Sequence, residues 1–242
     1  MQPMENKMTD RKLWEAYWKN YKFTAIPQKP VYKNYILPKE CHSFIEIGGF
    51  PGLNAGYFYK HVCTDVTLLD FYVDRQVIHR VERDNGIPTD SIKAIEADFF
   101  QFQADRTYDM VFSLGFIEHF QDTKDVIARH AALASPGGQL LIILPNLRGL
   151  NGLVQYVFDR PNLRIHNLKS MHLKHLKHIC AELGLKDVRV EYTRKPMVWL
   201  EPKPGMSASV KKSVVKLLSC ALKLFPIKCR LLSPYIIISA TK

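Results

Sequence analysis

The sequence predicts an α/β fold built on a doubly wound parallel sheet. Short, continuously apolar segments alternate along the 242 residues with segments of helical periodicity. The apolar segments lack the alternating polar positions of a strand with one face in water, which indicates a sheet covered by helices on both faces. A glycine-rich turn, GGFPG at 48–52, follows the first apolar segment. Ligands of open α/β sheets bind near such turns, beyond the carboxyl ends of the strands.

The predicted elements follow one another in the order that right-handed crossovers between parallel strands require. Strands are predicted at 43–48, 66–70, 91–97, 108–113 and 138–145, and the first helices at about 53–62, 73–85 and 122–134. The chain continues with a helix near 169–183, a strand near 186–194, a helix near 207–225 and a final strand at 234–242.

The length and composition fit one domain with additions. Residues 1–40 are predicted to form an N-terminal helical extension and residues 41–242 the α/β domain, with insertions at about 146–168 and 203–228. No segment reaches the roughly 20 apolar residues of a membrane-spanning helix, and the N-terminus lacks the apolar centre of a signal peptide. The five cysteines are scattered, which is typical of reduced thiols in a cytoplasmic protein.

The basic residues are concentrated in the last two-fifths of the chain. Residues 1–146 carry 16 Lys and Arg against 18 Asp and Glu, whereas residues 147–242 carry 18 against 5, a net charge of +13. This asymmetry is consistent with an anionic partner such as a phosphate group, a membrane surface or nucleic acid. It is also consistent with solubility alone, and composition does not decide between the two.

Acidic residues close the two strands that follow the glycine turn. Asp70 ends the second strand, where a carboxylate can accept hydrogen bonds from both hydroxyls of a ribose. Asp98 follows the third strand, where it can accept from an adenine amino group while the neighbouring Phe99 covers the ring. Because the carboxyl ends of parallel strands meet at one edge of the sheet, the sequence predicts a nucleoside site there.

These motifs resemble those of class I S-adenosylmethionine-dependent methyltransferases. The resemblance rests on EIGGFPG at 46–52, the acid Asp70, the pair Asp98 and Phe99, SLGFIEHF at 113–120 and LASPGG at 133–138. It covers about 40–146, and the closing strands extend it to the C-terminus. It implies a Rossmann-like, doubly wound, seven-stranded sheet with the last strand antiparallel, an N-terminal helical lid, and S-adenosyl-L-methionine as the cofactor.

The resemblance also implies which residues contact the cofactor. The methionyl group is expected to contact Glu46, Gly48, Gly49 and Gly52, and the ribose is expected to contact Asp70. The adenine is expected to contact Asp98 and Phe99, and the sulfonium is expected to lie near Ser113, Leu114 and Gly115. The family usually has glycine at the position of Phe50, so the loop is expected to be remodelled there. The fingerprint G-x-G-x-x-G of dinucleotide sites is not met, which argues against a nicotinamide cofactor.

His119 follows the fourth strand, close to the expected position of the transferred methyl group. An imidazole of ordinary pKa can remove a proton from a hydroxyl at neutral pH, so His119 is the candidate general base. The other interpretation is that His119 only lines the pocket. Asn146, after the fifth strand, and His166, in the insertion, are expected on the acceptor side of the site.

The acceptor is predicted to be a small molecule or a saccharide, with O-methylation as the expected reaction. Methylases of base amino groups commonly carry N-P-P-Y after the fourth strand, and this chain has SLGFIEH at 113–119 instead. Nucleic acid is therefore not the expected substrate. The alternative is a methyltransferase-like binding module, with a vestigial cofactor site and a basic C-terminal part that binds a membrane surface or nucleic acid.

The N-terminal segment LWEAYWKNYKF predicts a helix with one aromatic side. That side carries Trp14, Tyr17, Trp18 and Tyr21, of which Trp18 and Tyr21 are expected to contact the acceptor. The helix is either a lid that excludes water from the site or a part of the core packed at the sheet edge.

The late segment at 207–225 predicts a basic amphipathic helix, with apolar side chains on one face and lysines on the other. Such a helix either packs on the body, which the pattern favours, or rests on an anionic membrane.

Three nearby histidines, His172, His175 and His178, would lie at different angles around a helix, and lysines stand between them in the sequence. No metal site is therefore predicted, and the sequence does not predict an oligomeric state.

Overall fold

The computed structural model of the chain describes residues 6–18, 24–193, 196–200, 213, 215, 217–222 and 227–242. Within them, one seven-stranded sheet forms the centre of the molecule. Its strands are β1 (Phe44–Ile47), β2 (Val66–Asp70), β3 (Ile92–Glu96), β4 (Tyr108–Leu114), β5 (Ala134–Pro145), β6 (Lys186–Tyr192) and β7 (Tyr235–Thr241).

The strand order is β3-β2-β1-β4-β5-β7-β6. β7 pairs antiparallel with β5 and β6, and the other neighbouring strands pair parallel. The chain therefore proceeds outward from β1 in one direction and from β4 in the other, which opens a crevice above the carboxyl ends of these two strands. The predicted doubly wound sheet with an antiparallel last strand is confirmed.

Helices cover both faces of this sheet. The described α-helices are α1 (Arg11–Trp18), α2 (Leu53–His61), α3 (Arg75–Asp84), α4 (Thr123–Leu133), α5 (Leu150–Phe158), α6 (Arg160–Arg164) and α7 (Leu173–Glu182). Successive residues of a strand point to opposite faces. Phe44 accordingly packs in one core cluster with Phe58 of α2, and Ile45 packs in the other with Ile127 of α4 and Ile179 of α7.

Aspartate side chains fix the start of two helices in the first half of the domain. Asp74 accepts a hydrogen bond from the backbone N–H of Gln76 at the start of α3, and Asp122 accepts one from Asp125 at the start of α4. A carboxylate at this position satisfies a donor that has no partner inside the helix and interacts favourably with the helix dipole. The loops at the carboxyl ends of β2 and β4 therefore end at defined points.

The late helix predicted at 207–225 falls largely outside the described residues. Its described part, at 213, 215 and 217–222, is helical. Val215 is buried against Val154 and Val198, so this part of the helix packs on the body, in the region of α5. None of the described helices combines the length and the apolar character that crossing a bilayer requires.

Replacement of Phe58 by alanine is expected to lower the free energy of unfolding by about 3–5 kcal/mol, because it leaves a cavity in the core. The Phe58 side chain is fully buried, and its ring stacks on Phe44 with 4.1 Å between centroids. Urea unfolding followed by circular dichroism measures the change. The matched variant Phe58→Leu retains most of the volume and is expected to cost about 1 kcal/mol; equal losses for both would contradict a packing role.

Candidate functional site

A cavity of about 390 Å³ lies at the carboxyl ends of β1, β2 and β4. The last residues of these strands and the loops after them form one side, and α1 with the segment before it forms the other. Aromatic and aliphatic side chains line most of the cavity, with a few acids and histidines among them. This composition is typical of a site for small molecules.

Steric contacts explain two glycines in the turn after β1. Gly48 has φ +64°, and a Cβ at this position would lie 2.2 Å from the ring of Phe116. A Cβ on Gly49 would lie 2.1 Å from Cδ of Glu46. A side chain at either position would therefore displace its neighbours. Both glycines line the cavity, so a ligand can approach the backbone closely.

Glu46 holds this turn against the start of α2. Its Oε2 accepts the backbone N–H of Ala55 at 2.7 Å, and its Oε1 accepts from Nδ2 of Asn54 at 2.9 Å. α2 has no side-chain cap at Gly52, so the buried carboxyl group supplies the missing acceptor. Burial raises the pKa of Glu46 to about 8, against the effect of its two donors.

Phe50 occupies the position at which the family usually has glycine. Its backbone N–H donates to Oδ2 of Asp70 at 2.9 Å, and its ring contacts Trp18 and Tyr72 edge to face. The larger side chain therefore joins the turn to α1 rather than filling the site, because the cavity remains open beside it.

Asp70 ends β2 with its carboxylate at the cavity wall. Besides Phe50, the backbone N–H of Tyr72 donates to it, at 3.1 Å from Oδ1. A carboxylate has further lone pairs on each oxygen, which remain for ligand hydroxyls. The residue is 8% exposed, and burial raises its pKa to about 6 although backbone donors oppose the shift.

Asp98 and Phe99 lie at the next position along the sheet edge and also line the cavity. The ammonium group of Lys7 forms an ion pair with Oδ2 of Asp98 and lies over the ring of Phe71. The segment before α1 therefore reaches the acid that the sequence assigns to adenine, a contact that the motifs do not reveal.

The helix α1 covers the cavity, and no residue of it is buried. Its Trp18 nevertheless packs against the core cluster that contains Phe44 and Phe58, so α1 both covers the cavity and contacts the core. Arg11 connects it to β3 through an ion pair with Glu96, and the backbone N–H of Met8 donates to the carbonyl of His119 at 2.8 Å. Trp18, which is expected to contact the acceptor, lines the cavity, whereas Tyr21 lies outside the described residues.

Glu118, His119 and His166 also line the cavity, and the three side chains lie close together. The imidazole of His119 lies 4.7 Å from that of His166 and 5.1 Å from the ring of Trp14. Burial lowers the pKa of His119 to about 3 and raises the pKa of Glu118 to about 8. Both groups are therefore neutral near pH 7 when nothing is bound.

Three predicted residues do not line the cavity. Ser113 is fully buried, and its hydroxyl bonds to Nε2 of His130 on the face that α4 covers. Asn146 is also buried, and its amide donates to the carbonyls of Arg230 and Ser233. Gly52 serves as the N-cap of α2 with φ +94°. The neighbouring Leu114 and Gly115 do line the cavity.

Trp199 and Tyr235 line the cavity although the sequence did not point to them. Their rings stack with 5.3 Å between centroids. Trp199 follows β6 and Tyr235 begins β7, so their proximity arises from the pairing of the last strands. The only sequence feature that could have indicated this pair is the aromatic Tyr235 at the start of the final strand, and aromatic residues are common in strands in any case.

A family model of a methyltransferase domain matches residues 21–190. The chain belongs to this methyltransferase family. Membership confirms the resemblance to class I S-adenosylmethionine-dependent methyltransferases that the motifs indicated. No curated protein matches the chain by sequence.

Solved methyltransferase structures share the fold. Phosphoethanolamine N-methyltransferase 2 of Haemonchus contortus, in complex with S-adenosyl-L-methionine, is 19% identical with a TM-score of 0.59, over 88% of this chain and 51% of that one. A SAM-dependent methyltransferase from Archaeoglobus fulgidus is 18% identical with a TM-score of 0.55, over 96% and 95%. N-methyltransferase NodS from Bradyrhizobium japonicum WM9, in complex with S-adenosyl-L-homocysteine, is 13% identical with a TM-score of 0.52, over 88% and 83%. This chain therefore spans about half the length of the Haemonchus contortus enzyme.

The affinity for S-adenosylhomocysteine is expected to rise with pH through about 6, where Asp70 ionises. If only the carboxylate accepts both ribose hydroxyls, binding at pH 5 is about tenfold weaker than at pH 7. Calorimetric titrations from pH 5 to 7.5 measure this. Asp70→Asn should bind more weakly and lose the pH step, whereas the exposed control Asp90→Asn should keep it. A wild-type affinity that is flat across this range would contradict the assignment of Asp70 to the ribose.

Proposed function

We propose that this protein transfers the methyl group of S-adenosylmethionine to an oxygen of a small hydroxylated acceptor, with saccharides in this class. The proposal rests on the observation that both sets of candidate residues line one continuous cavity. Gly48, Asp70 and Asp98, which are proposed to contact the cofactor, line this cavity together with His119 and His166. A donor and an acceptor can therefore lie in one space under the same cover.

The cofactor is proposed to lie along the carboxyl ends of β1, β2 and β4. The backbone at Gly48 and Gly49, beside Glu46, receives the methionyl end, and Asp70 accepts from the ribose hydroxyls. Asp98 and Phe99 receive the adenine. Because Lys7 already pairs with Asp98, the adenine amino group has to share or displace that contact.

The reaction itself is an in-line displacement. The acceptor oxygen would attack the methyl carbon, the carbon–sulfur bond would break with its electron pair remaining on sulfur in S-adenosylhomocysteine, and the hydroxyl proton would pass to water. The sulfonium is an activated leaving group, so the protein contributes mainly by aligning the two reactants and excluding water. α1 and the aromatic side chains beneath it supply the exclusion.

His119 remains the catalytic residue that is proposed to contact the acceptor, but its burial lowers its basicity. Its Nδ1 donates to the carbonyl of Ile165 at 3.0 Å, which leaves a lone pair on Nε2. A pKa of about 3 makes this imidazole a weak base. The lone pair on Nε2 of His119 is therefore suited to binding a hydrogen-bond donor or a cation, and it is poorly suited to removing a proton from a hydroxyl.

The alternative of a vestigial binding module has less support. Phe50 was the feature in its favour, and its ring packs on Trp18 and Tyr72 without closing the cavity. Asp70 keeps free acceptor capacity at the wall. Two of the similar structures are N-methyltransferases, which makes nitrogen another possible acceptor atom. Their sequence identities to this chain are low, however, so the similarity concerns only the fold.

We also propose peripheral contact with an anionic membrane through α5. Leu153, Tyr156 and Val157 lie three and four residues apart on this helix and are 52–59% exposed. Arg160 lies over the ring of Tyr156 at the end of the apolar face. The net charge of +13 in residues 147–242 complements an anionic surface.

Methyl transfer is tested by incubating the protein with methyl-labelled S-adenosylmethionine and a fractionated cell extract. Label is expected in a low-molecular-mass fraction, and mass spectrometry should locate the methyl group on oxygen. Asp70→Ala is expected to raise the KM for the cofactor roughly tenfold or more, because charged hydrogen bonds are lost. Asp105→Ala, at an exposed site, serves as the control. Label confined to nucleic acid or protein, or absent from every fraction, would contradict the proposal.

Membrane contact is tested by sedimentation with vesicles of phosphatidylserine and phosphatidylcholine. Binding is expected with the anionic vesicles and should weaken in about 0.5 M salt, at which charges are screened beyond a few ångströms. The double variant Leu153→Ser and Val157→Ser should bind much less. Leu168→Ser, at an exposed apolar site outside α5, is the matched control. Binding that is the same for all three proteins would exclude α5 as the contact.

A further inference from the structure

Three potential ligand side chains meet in the cavity although they are distant in sequence. Glu118 and His119 lie in the turn after β4, and His166 lies just after α6. Each offers one ligand atom, and these atoms all lie within 4.8 Å of one another. Nε2 of His119 is 3.9 Å from Oε1 of Glu118. No other group of three such residues was found in the described part of the chain.

The backbone orients both imidazoles in the same way. Nδ1 of His119 faces the carbonyl oxygen of Ile165 at 3.0 Å, and Nδ1 of His166 faces that of Asn162 at 2.6 Å. A carbonyl oxygen can only accept, so both Nδ1 atoms carry the proton and both Nε2 atoms carry a lone pair. Histidines that bind metals are held in this manner, with the non-coordinating N–H bonded to a backbone carbonyl or a carboxylate.

Glu118 gives an independent indication of a missing partner. Its side chain is 1% exposed, and Oε2 has no hydrogen-bond partner among the described residues. A buried polar atom in this situation costs free energy unless a ligand satisfies it. Two neutral imidazoles and a carboxyl group cannot all satisfy one another, because both Nε2 atoms carry lone pairs and a protonated carboxyl group has only one O–H to donate. A cation between them would satisfy all three.

We propose that Glu118, His119 and His166 bind a divalent cation that accepts nitrogen ligands, such as Zn²⁺. Two imidazoles and one carboxylate are a known zinc-ligand set, which leaves a further coordination position for water or a substrate. Imidazole ligands favour Zn²⁺ or Co²⁺ over Mg²⁺, which prefers oxygen. Ligand atoms bound to one Zn²⁺ are about 3.3 Å apart, so the three side chains move closer together when the cation binds.

The position of this site suggests what the cation does, and that role rests on the proposed function. The three residues line the same cavity as Gly48 and Gly115. An acceptor hydroxyl at the open coordination position would have a lowered pKa and would release its proton to water. The resulting oxygen attacks the methyl carbon while the electron pair of the carbon–sulfur bond passes to sulfur. A strongly basic side chain is then unnecessary, which agrees with the low basicity of His119.

Cation binding is tested with the full chain after treatment with a chelator, by calorimetry with ZnCl2, CoCl2 or MgCl2 alone. One Zn²⁺ or Co²⁺ is expected per chain, with visible cobalt absorption and much weaker Mg²⁺ binding. Loss of a partner that only orients a ligand costs 10–100-fold in metal affinity. Glu118→Gln and His166→Ala should therefore each weaken binding by about a hundredfold or more.

His175→Ala and His178→Ala are the matched controls, because both residues are histidines on the exposed part of α7. Thermal unfolding and S-adenosylhomocysteine titrations verify that each variant is folded. No saturable binding of Zn²⁺ or Co²⁺ by the wild type would overturn the proposal. So would binding that Glu118→Gln and His166→Ala leave intact, or binding that the control variants abolish.

The catalytic role is tested separately from cation binding. Cation-free protein is expected to transfer little label to the acceptor fraction, and added Zn²⁺ or Co²⁺ should restore transfer. Full transfer without a cation would overturn the role in catalysis. Specific cation binding by a protein that transfers no label to any fraction would count against the proposed function and leave the cation site standing.

Discussion

The buried carboxyl group of Glu46 is the contact on which the rest of the site depends. It joins the end of β1 to the start of α2 through Asn54 and the backbone of Ala55. Its atoms occupy the space that a side chain on Gly49 would need. The turn between them is thereby fixed with its backbone facing the cavity, and the N–H of Phe50 is directed to Asp70 of the next strand. Two strand ends and one helix are thus joined in a single hydrogen-bonded unit.

The sequence was sufficient for the sheet and for the acids at its edge, because apolar periodicity and strand ends are local properties. It could not show which way a side chain points at a strand end. Ser113 and Leu114 are adjacent and face opposite sides of the sheet, so one bonds to His130 under α4 and the other lines the cavity. Asn146 follows β5, but its side-chain amide donates hydrogen bonds to backbone carbonyls near the start of β7 and does not face the cavity.

Contacts between distant segments were the other part that the sequence could not supply. His166 was expected near the acceptor from its place in an insertion, and the structure brings it to His119. Trp199 and Tyr235 meet only because β7 is inserted between β5 and β6. The pair of Lys7 with Asp98 requires the N-terminal segment to cross the sheet edge. Each depends on tertiary structure, for which a single sequence holds no periodic signal.

The N-terminal cover, which is α1 with the segment before it, contacts both Asp98 and His119. Lys7 pairs with Asp98, the acid proposed to bind the adenine, and Trp14 packs on His119, the residue proposed to contact the acceptor. If the adenine binds at Asp98 as proposed, its competition with Lys7 shifts the segment that also packs on His119. Coupling of this kind is reciprocal, since any factor by which the cofactor changes acceptor affinity applies equally to the effect of the acceptor on cofactor affinity. We therefore infer that the cover couples the two proposed binding steps, in addition to its proposed exclusion of water.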